Sequence, residues 1–274
     1  MDAKVRRLDD KDLEAALPLL ASEGWEFEAS ELERLRKLGG AVGAFDADKL
    51  VGFLTFIDVK PLRWVGNVVV APDARGAGIA ARLMENTFDG AENLGLYSVP
   101  KAVTLYERLG FKTQGEAFSY RAEAASPKRK NTGAKPLLTA NDSAGVLKLD
   151  KDATGMDRAD LLVALSKAYP ENVKVIHERN RVVAYGIAKT GASFTELGPI
   201  VSQTPAARDA VLDALLQISP APHEVTVLGN NTSAIAALEE RGFHRKLRTI
   251  PMFRGTPPKW RSSMMAAAAG LEKG

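Results

Sequence analysis

Two glycines lie between a run of three valines and an amphipathic segment in the first third of the chain. The run Val68-Val69-Val70 is followed, after a Pro-Asp turn, by Arg75-Gly76-Ala77-Gly78-Ile79-Ala80. Backbone amides that converge at the start of a helix bind phosphate, and glycine lets the phosphate come close to the backbone. The segment is therefore a candidate pyrophosphate site, although the same glycines can also form an ordinary tight turn. Its spacing matches neither the P-loop nor the Gly-x-Gly-x-x-Gly dinucleotide pattern.

A ten-residue pattern in the first half of the chain returns in the second half. Residues 102–111 read AVTLYERLGF, and residues 234–243 read AIAALEERGF. Each copy has apolar residues about one helical turn apart and then Gly-Phe, which is typical of a helix that ends in a left-handed cap before a buried aromatic residue. A repeat at this distance favours two copies of one fold.

Strand-like runs alternate with helix-like segments in both halves, which is the pattern of α/β domains. Residues 41–70 predict an antiparallel meander, and a helix is expected from Ile79 to Phe88. Apolar periodicity stops near residue 122 and resumes after residue 135. We therefore predict a first domain over residues 1–125, a linker over 126–135 and a second domain over 136–274. The Ala-rich stretch 264–270 is expected to form a short helix.

Composition narrows the function further. The 274 residues are 45% hydrophobic and 26% charged, as in ordinary globular proteins. Cysteine is absent, which excludes disulfides, thiolate metal ligands and a cysteine nucleophile. The net charge of +3 is too small to favour nucleic acid as a partner, and the three histidines lack the spacing of a metal site. No apolar run approaches the roughly 18 residues of a membrane span, so neither membrane contact nor secretion is expected and a cytoplasmic location is predicted.

Arg75, Gly78 and Ala80 fit the pattern Q/R-x-x-G-x-G/A, and residues 105–111 fit a second motif at the expected distance. Together they resemble the GNAT superfamily of acetyl-CoA-dependent N-acetyltransferases over about the first 120 residues. The resemblance implies tandem GNAT folds of α/β (α+β) class, each with a mixed, mostly antiparallel central sheet flanked by helices. It also implies acetyl-CoA as acyl donor, with the amides of residues 75–80 (Arg75, Gly76, Ala77, Gly78, Ile79 and Ala80) on the pyrophosphate. Val68, Val69 and Val70 would pair with the pantetheine arm.

The same resemblance assigns chemistry to one tyrosine and leaves the base open. Tyr106 matches the family tyrosine that protonates the leaving thiolate; its alternative role is packing. Many members carry a glutamate on the strand before the loop, but residues 64–68 have no carboxylate. A water relay, a residue of the second half, or the acids Glu26, Glu28 and Asp58 remain candidates for the base. The stretch Trp25-Glu26-Phe27 resembles an acceptor-side loop, and its two aromatic residues can also be core.

The second copy has lost the features expected at the cofactor site. Residues 203–208 read QTPAAR where the glycine loop should be, and Leu238 replaces the tyrosine. We expect a degenerate second GNAT-like domain and one acetyl-CoA site per chain. The leading hypothesis is transfer of acetyl from acetyl-CoA to a primary amine, and the alternative is a non-catalytic acyl-CoA-binding or protein-interaction module. The sequence specifies neither the acceptor nor the oligomeric state.

Overall fold

The computed structural model describes residues 3–137 and 139–274, which form two compact units. The first unit contains residues 3–113, Met252–Pro257 and Glu272–Gly274, and the second contains Gln114–Pro251 and Pro258–Leu271. The helices are α1 (Leu13–Ser22), α2 (Ala29–Leu38), α3 (Ile79–Glu85), α4 (Val103–Arg108), α5 (Ala140–Thr154), α6 (Ala159–Ala168), α7 (Pro205–Ile218) and α8 (Thr232–Glu239). The strands are β1 (Lys4–Arg7), β2 (Gly39–Asp46), β3 (Lys49–Val59), β4 (Leu62–Val70), β5 (Leu94–Ser98), β6 (Lys112–Thr113), β7 (Ala117–Ala122), β8 (Lys135–Pro136), β9 (Val173–Glu178), β10 (Arg181–Thr190), β11 (Thr195–Ser202), β12 (His223–Leu228), β13 (His244–Arg254) and β14 (Met265–Ala267).

The sheet of the first unit is mostly antiparallel. Strands β2 to β4 form the predicted antiparallel meander, and β1 pairs antiparallel with β2. Strand β5 joins β4 in parallel, and the end of β13 lies beside β5. Residues 50–57 of β3 are all buried, because α1, α2 and α3 pack on this strand. Burial on both faces explains why the strand reads as a continuous apolar run rather than as an alternation. The fold class agrees with the prediction.

The second unit repeats this order of elements. Strands β9, β10 and β11 form an antiparallel meander, α7 leads to β12 in parallel with β11, and α8 leads to β13. The core lies between α7 and this sheet, and includes residues such as Val211 and Leu215 from the helix and Leu197 and Ile200 from β11. Both copies of the repeated pattern therefore occupy the same place in their units, between a parallel strand and the next strand of the sheet.

The compact units do not divide the chain at residues 126–135. Strand β7, which follows the first copy of the repeat, pairs with β12 in the second unit, and Met252–Pro257 at the end of β13 belong to the first unit. Residues 123–134 contain no helix or strand and are part of the second unit, and β8 begins at Lys135. The backbone amides of Lys128 and Arg129 each donate to the carboxylate of Asp213 at 3.1 Å.

Two helices differ from their predicted forms. Helix α3 ends at Glu85 rather than Phe88. The Ala-rich stretch 264–270 does not form a helix: Met265–Ala267 form β14, which pairs antiparallel with β11. A helix was expected because alanine has the highest intrinsic helix propensity, but strand pairing in the tertiary structure outweighs that preference here.

Candidate active site

Residues 71–78 connect β4 to α3, and the last four of them, residues 75–78, form an exposed loop. Gly76 and Gly78 have φ angles of 80° and 74°, in the left-handed region that favours glycine. A Cβ at either position would meet no described atom within 4 Å. Ile79 and Ala80 open α3, where the first amides have no intrahelical acceptor. The loop therefore offers accessible backbone to an anion.

The side chain of Arg75 connects this loop to the end of β4 by a hydrogen bond. Its Nε donates to the carbonyl of Val70 at 3.0 Å, and its guanidinium pairs with Glu23 at the end of α1. The ammonium of Lys101 lies 3.8 Å from the same carboxylate. Two cations therefore flank one carboxylate beside the exposed loop, and a phosphate at the loop would compete with Glu23 for them.

Strands β4 and β5 are paired over a short length only. Their parallel register consists of Arg63 with Leu94 and Trp64 with Gly95, so Val68–Val70 lie beyond the last pair. Val68 and Val70 are half-buried and Val69 is buried. The strands separate toward the loop, which leaves backbone of β4 for an extended ligand to pair with.

A β-bulge marks the point where β4 leaves β5. Phe53 pairs with Val69 and Thr55 with Gly66, so one residue of β3 faces two residues of β4. Asn67 takes a φ of 54°, and its side-chain Nδ2 donates to the hydroxyl of Thr55 at 3.0 Å. Thr55 is fully buried, so this bond fixes the bulge in the core of the unit.

Tyr106 lies on α4 and is buried, with a relative exposure of 6%. Its ring packs edge-to-face on Phe111, with 5.9 Å between the centroids. Burial raises the pKa of Tyr106 above its usual value. The phenol therefore stays protonated at neutral pH, as a proton donor must, and the packing role that the sequence also allowed is present as well.

The predicted acceptor-side stretch forms the connection between α1 and α2. Trp25 and Glu26 are exposed and Phe27 is half-buried, so Trp25 is not a core residue. Glu28 is also exposed and precedes the first residue of α2. Asp58 is held by the guanidinium of Arg63, at 2.7 and 3.2 Å.

A segment that the sequence did not single out lies against β4. The Cβ and Cα of Glu272 are 2.4 and 2.6 Å from the position that a Cβ on Gly66 would take, and Gly274 lies against Trp64. Lys273 between them is fully buried and pairs with Glu31 of α2 at 2.7 Å. A glycine inside a strand often marks a close approach of another backbone. That signal was available at Gly66, but it does not reveal which segment approaches.

The second unit lacks a counterpart of the exposed loop. Eight residues separate β4 from α3, but only two separate β11 from α7. The hydroxyl of Thr204 accepts from the amide of Ala207 at 3.2 Å and caps α7 directly. Arg208 and Leu238, which replace a loop residue and the tyrosine, are both buried.

Strand β14 fills the opening between β11 and β12 in the second unit. The parallel register of β11 and β12 stops after Glu196, and β14 then pairs with β11 at Ile200 and Val201. Beyond the bulge, these positions correspond to Val69 and Val70 of the first unit. The amide of Ala268 donates to β12 at the carbonyl of Thr226, at 2.8 Å. The chain itself therefore occupies the place where an extended ligand would pair.

Within residues 3–137 and 139–274, no three or more His, Asp or Glu residues are grouped so as to hold a metal ion. In the same part of the chain, every helix is too short or too polar to cross a membrane.

Comparison with known families finds the same kind of domain in both halves of the chain. Two family models, each described as an acetyltransferase (GNAT) domain, match residues 39–113 and 146–265. The chain is 24% identical to a holothin acyltransferase of Pseudoalteromonas sp. (strain SANK 73390) over 273 residues, which cover 92% of this chain and 88% of that protein. It is 23% identical to an uncharacterised N-acetyltransferase of Bacillus subtilis (strain 168) over 248 residues, 87% of each chain.

Solved structures share the fold at low sequence identity. The crystal structure of a proposed acetyltransferase from Pyrococcus horikoshii superimposes with a TM-score of 0.86 at 18% identity, covering 99% of this chain and 96% of that one. A tandem GNAT protein from the clavulanic acid biosynthesis pathway gives a TM-score of 0.67 at 14% identity, covering 94% of this chain and 100% of the other.

Proposed function

The chain belongs to the GNAT acetyltransferases and contains two such domains, and we propose that its first unit transfers acetyl from acetyl-CoA to a primary amine. The observation that carries the proposal is the exposed loop with Gly76 and Gly78 beside the opening between β4 and β5. Acyl transfer as such follows from the family. The acetyl group, the amine acceptor and direct attack without a covalent enzyme intermediate are the proposed parts.

Residues of the first unit suit the binding of acetyl-CoA. The amides of residues 75–80 would hold the pyrophosphate, with the charges of Arg75 and Lys101 close by. The backbone of Val68–Val70 beyond the last β5 pair would bind the pantetheine arm. A bulge withdraws a residue from the strand ladder, so an amide near Asn67 is available to donate to the thioester oxygen as it gains charge.

The buried hydroxyl of Tyr106 would supply a proton to the leaving thiolate. Attack by the amine breaks the carbon–sulfur bond, and the thiolate must be protonated to leave as CoA. A phenol is protonated at neutral pH with or without burial, so the hydroxyl of Tyr106 has a proton to donate there. The acceptor would approach past the exposed connection that carries Trp25, Glu26 and Phe27.

Two measurements test this function. Calorimetry with acetyl-CoA measures binding, and DTNB measures release of CoA over a panel of primary amines. Longer acyl-CoA donors belong in the panel because one relative is named an acyltransferase without reference to acetyl. We expect binding and turnover with at least one amine; absence of binding contradicts the site.

The alternative is a module that binds acyl-CoA without catalysis. The absence of Asp and Glu from β4 favours it, since family members often carry their base there. Binding of acetyl-CoA without turnover of any amine would support this alternative over the enzyme.

A further inference from the structure

We propose that Glu272 supplies the carboxylate that removes the proton from the acceptor ammonium in the first unit. The inference rests on the proposed function and adds the general-base carboxylate that β4 lacks. It is carried by the position of Glu272 on the strand and by the contacts that hold residues 272–274 in place.

Glu272 lies directly on the strand next to the bulge. Its Cβ is 2.4 Å, and its carbonyl oxygen 3.1 Å, from the position of a Cβ on Gly66. Gly66 is the residue before Asn67, where the bulge begins and the opening toward β5 starts. Any side chain at position 66 would displace Glu272, so the glycine leaves room for the segment to replace a side chain of the strand itself.

The segment occupies the same sheet face as helix α2. Gly66 pairs with Thr55 and Trp64 pairs with Ile57, so the side-chain positions of 64 and 66 point to one face. Gly274 packs on the ring of Trp64. Glu31 of α2 reaches the same face, because it pairs with Lys273.

A buried ion-pair cluster holds the segment in place. The ammonium of Lys273 is fully buried, donates to Glu31 at 2.7 Å and also pairs with Oε1 of Glu272. The side chain of Glu272 is 11% exposed. Breaking such a cluster leaves buried charge uncompensated, which is costly, so the carboxylate is fixed in position. The pair with Lys273 is made through Oε1 of the carboxylate, so Oε2 is the atom that would take the proton.

The other acids considered as bases are placed less well. Asp58 is bound by both nitrogens of the Arg63 fork. Glu26 and Glu28 are exposed in the connection between α1 and α2. Glu23 is held by Arg75 at the loop.

The proposed step balances without any further reactant. Glu272 takes a proton from the ammonium, and the neutral nitrogen forms a bond to the acetyl carbon. The bond from that carbon to sulfur breaks, and the thiolate takes the proton of Tyr106. The nitrogen loses its second proton to solvent as the amide forms, so the products are an N-acetyl amine, CoA and one released proton. A further proton moves through solvent from Glu272 to Tyr106 and restores both groups.

The experiment compares acceptors that do and do not need a base. Alkylamines such as ethylamine, lysine methyl ester and spermidine are protonated at neutral pH, whereas hydroxylamine is not. CoA release is followed with DTNB at saturating acetyl-CoA for the wild-type chain, Glu272→Gln and the control Glu33→Gln. Glu33 also lies on α2, but it is exposed and pairs with Lys37 on the surface.

Glu272→Gln is expected to lower kcat for the best alkylamine by about 100-fold. Turnover of hydroxylamine is expected to stay within about twofold of the wild type, because its nitrogen is already neutral. The dissociation constant of acetyl-CoA should be unchanged, and Glu33→Gln should match the wild type throughout. Gly66→Ala, which pushes the segment off the strand, should reproduce the selective loss.

Several results would overturn the inference. An unchanged kcat for alkylamines in Glu272→Gln contradicts it, and so does an equal loss for alkylamines and hydroxylamine, which indicates a structural role. If Glu272→Gln melts earlier, Glu272→Asp keeps the charge and withdraws the carboxylate by one methylene, and it should show the same selective loss. A wild-type chain that binds acetyl-CoA but acetylates no amine contradicts the proposed function, and the inference falls with it.

Discussion

Arg75 makes contacts of two kinds, and only one of them is compatible with a bound phosphate. The bond from its Nε to Val70 fixes the loop to the strand, whereas its pair with Glu23 uses the part of the guanidinium that a phosphate would also use. Glu23 lies at the C-terminal end of α1, where the helix dipole disfavours a negative charge. The positive charges of Arg75 and Lys101 offset this unfavourable interaction with the helix dipole.

Replacing Glu23 with glutamine should therefore tighten acetyl-CoA binding. The carboxylate is partly exposed and its ion pair is weak in water, so the gain should be about three- to fivefold in Kd. Calorimetry at two salt concentrations measures it, with Glu14→Gln on the exposed surface of α1 as the control. Weaker binding in Glu23→Gln would show instead that Glu23 holds Arg75 in its binding position.

Tyr106→Phe tests the proton donor. Removing the hydroxyl should lower kcat by roughly 100-fold and leave the Kd of acetyl-CoA unchanged, because the ring still packs on Phe111. Since burial raises the pKa of Tyr106, its hydroxyl stays protonated as the pH rises, and ionisation of this group should cause no loss of wild-type rate below about pH 10. The pH–rate profiles of both proteins check this. An equal rate in the variant would remove the role.

Among the elements, the loop between β4 and α3 depends on two left-handed residues. These are Gly76 and Gly78, and Gly78 has a φ of 74° with open space where a Cβ would stand. Gly90, in the turn between α3 and β5 and outside this loop, has the same φ and the same open space. A side chain at either position costs about 1–2 kcal/mol of backbone strain. Only the side chain at position 78 would also stand where the pyrophosphate is proposed to bind.

Gly78→Leu and Gly90→Leu therefore form a matched pair. Both should lower the melting temperature by a similar amount, and only Gly78→Leu should abolish the binding of acetyl-CoA. Thermal melts and calorimetry separate the two effects. Binding that survives in Gly78→Leu, or disappears in both variants, would contradict the placement of the pyrophosphate.

A second element, the irregular segment 123–134, is bound to α7 in part through one buried carboxylate. Asp213 of α7 receives the amides of Lys128 and Arg129, and Nε and Nη2 of Arg241 at 2.6 and 3.1 Å. Asp213 and Arg241 have side-chain exposures of 0% and 2%. The carboxylate thus accepts from four donors on two parts of the chain, residues 128–129 and Arg241.

Asp213→Asn should lower the free energy of unfolding by roughly 3 kcal/mol, because it leaves the guanidinium of Arg241 buried without a counter-charge. Asp152→Asn, which removes an exposed pair with Lys148, should change it by less than about 0.5 kcal/mol. Urea unfolding of the two variants measures the difference. Equal stability of both would mean that the buried charge is compensated in another way.

At the scale of the whole molecule, the chain carries two GNAT domains, and within residues 3–137 and 139–274 the strand opening of the first unit is unfilled while that of the second is not. In the second unit β14 occupies the strand opening, and Asn231 secures it by donating from Nδ2 to the carbonyl of Met265 at 3.1 Å. Helix α7 also begins without a glycine loop. In that copy the loop that would bind the phosphate is therefore missing, and the strand opening that would bind the pantetheine arm is filled.

Calorimetric titration should accordingly find one acetyl-CoA per chain. Gly78→Leu should remove all binding rather than half of it, because the second unit has no site to retain. A stoichiometry of two, or a residual site in Gly78→Leu, would show that β14 leaves the second unit when acetyl-CoA is present.

The sequence by itself determined the motif residues, the class of the fold and the repeat, because each leaves a local signal. Glycine spacing at Gly76 and Gly78, continuous apolar strands and the Gly-Phe exit of a helix can all be read over a few neighbouring residues. The predicted meander and the order of elements in both halves agree with the structure for the same reason. The roles of the site residues remain predictions for the experiments above.

Tertiary structure alone decided which distant segments meet. Glu272 is more than two hundred residues from Gly66, and the Ala-rich stretch became a strand because β11 offered an unpaired edge. The compact units likewise follow strand pairing of β7 and β13 rather than the loss of periodicity near residue 122. Strand pairing and close backbone approach depend on the partner, and a sequence pattern describes only one side of such a contact.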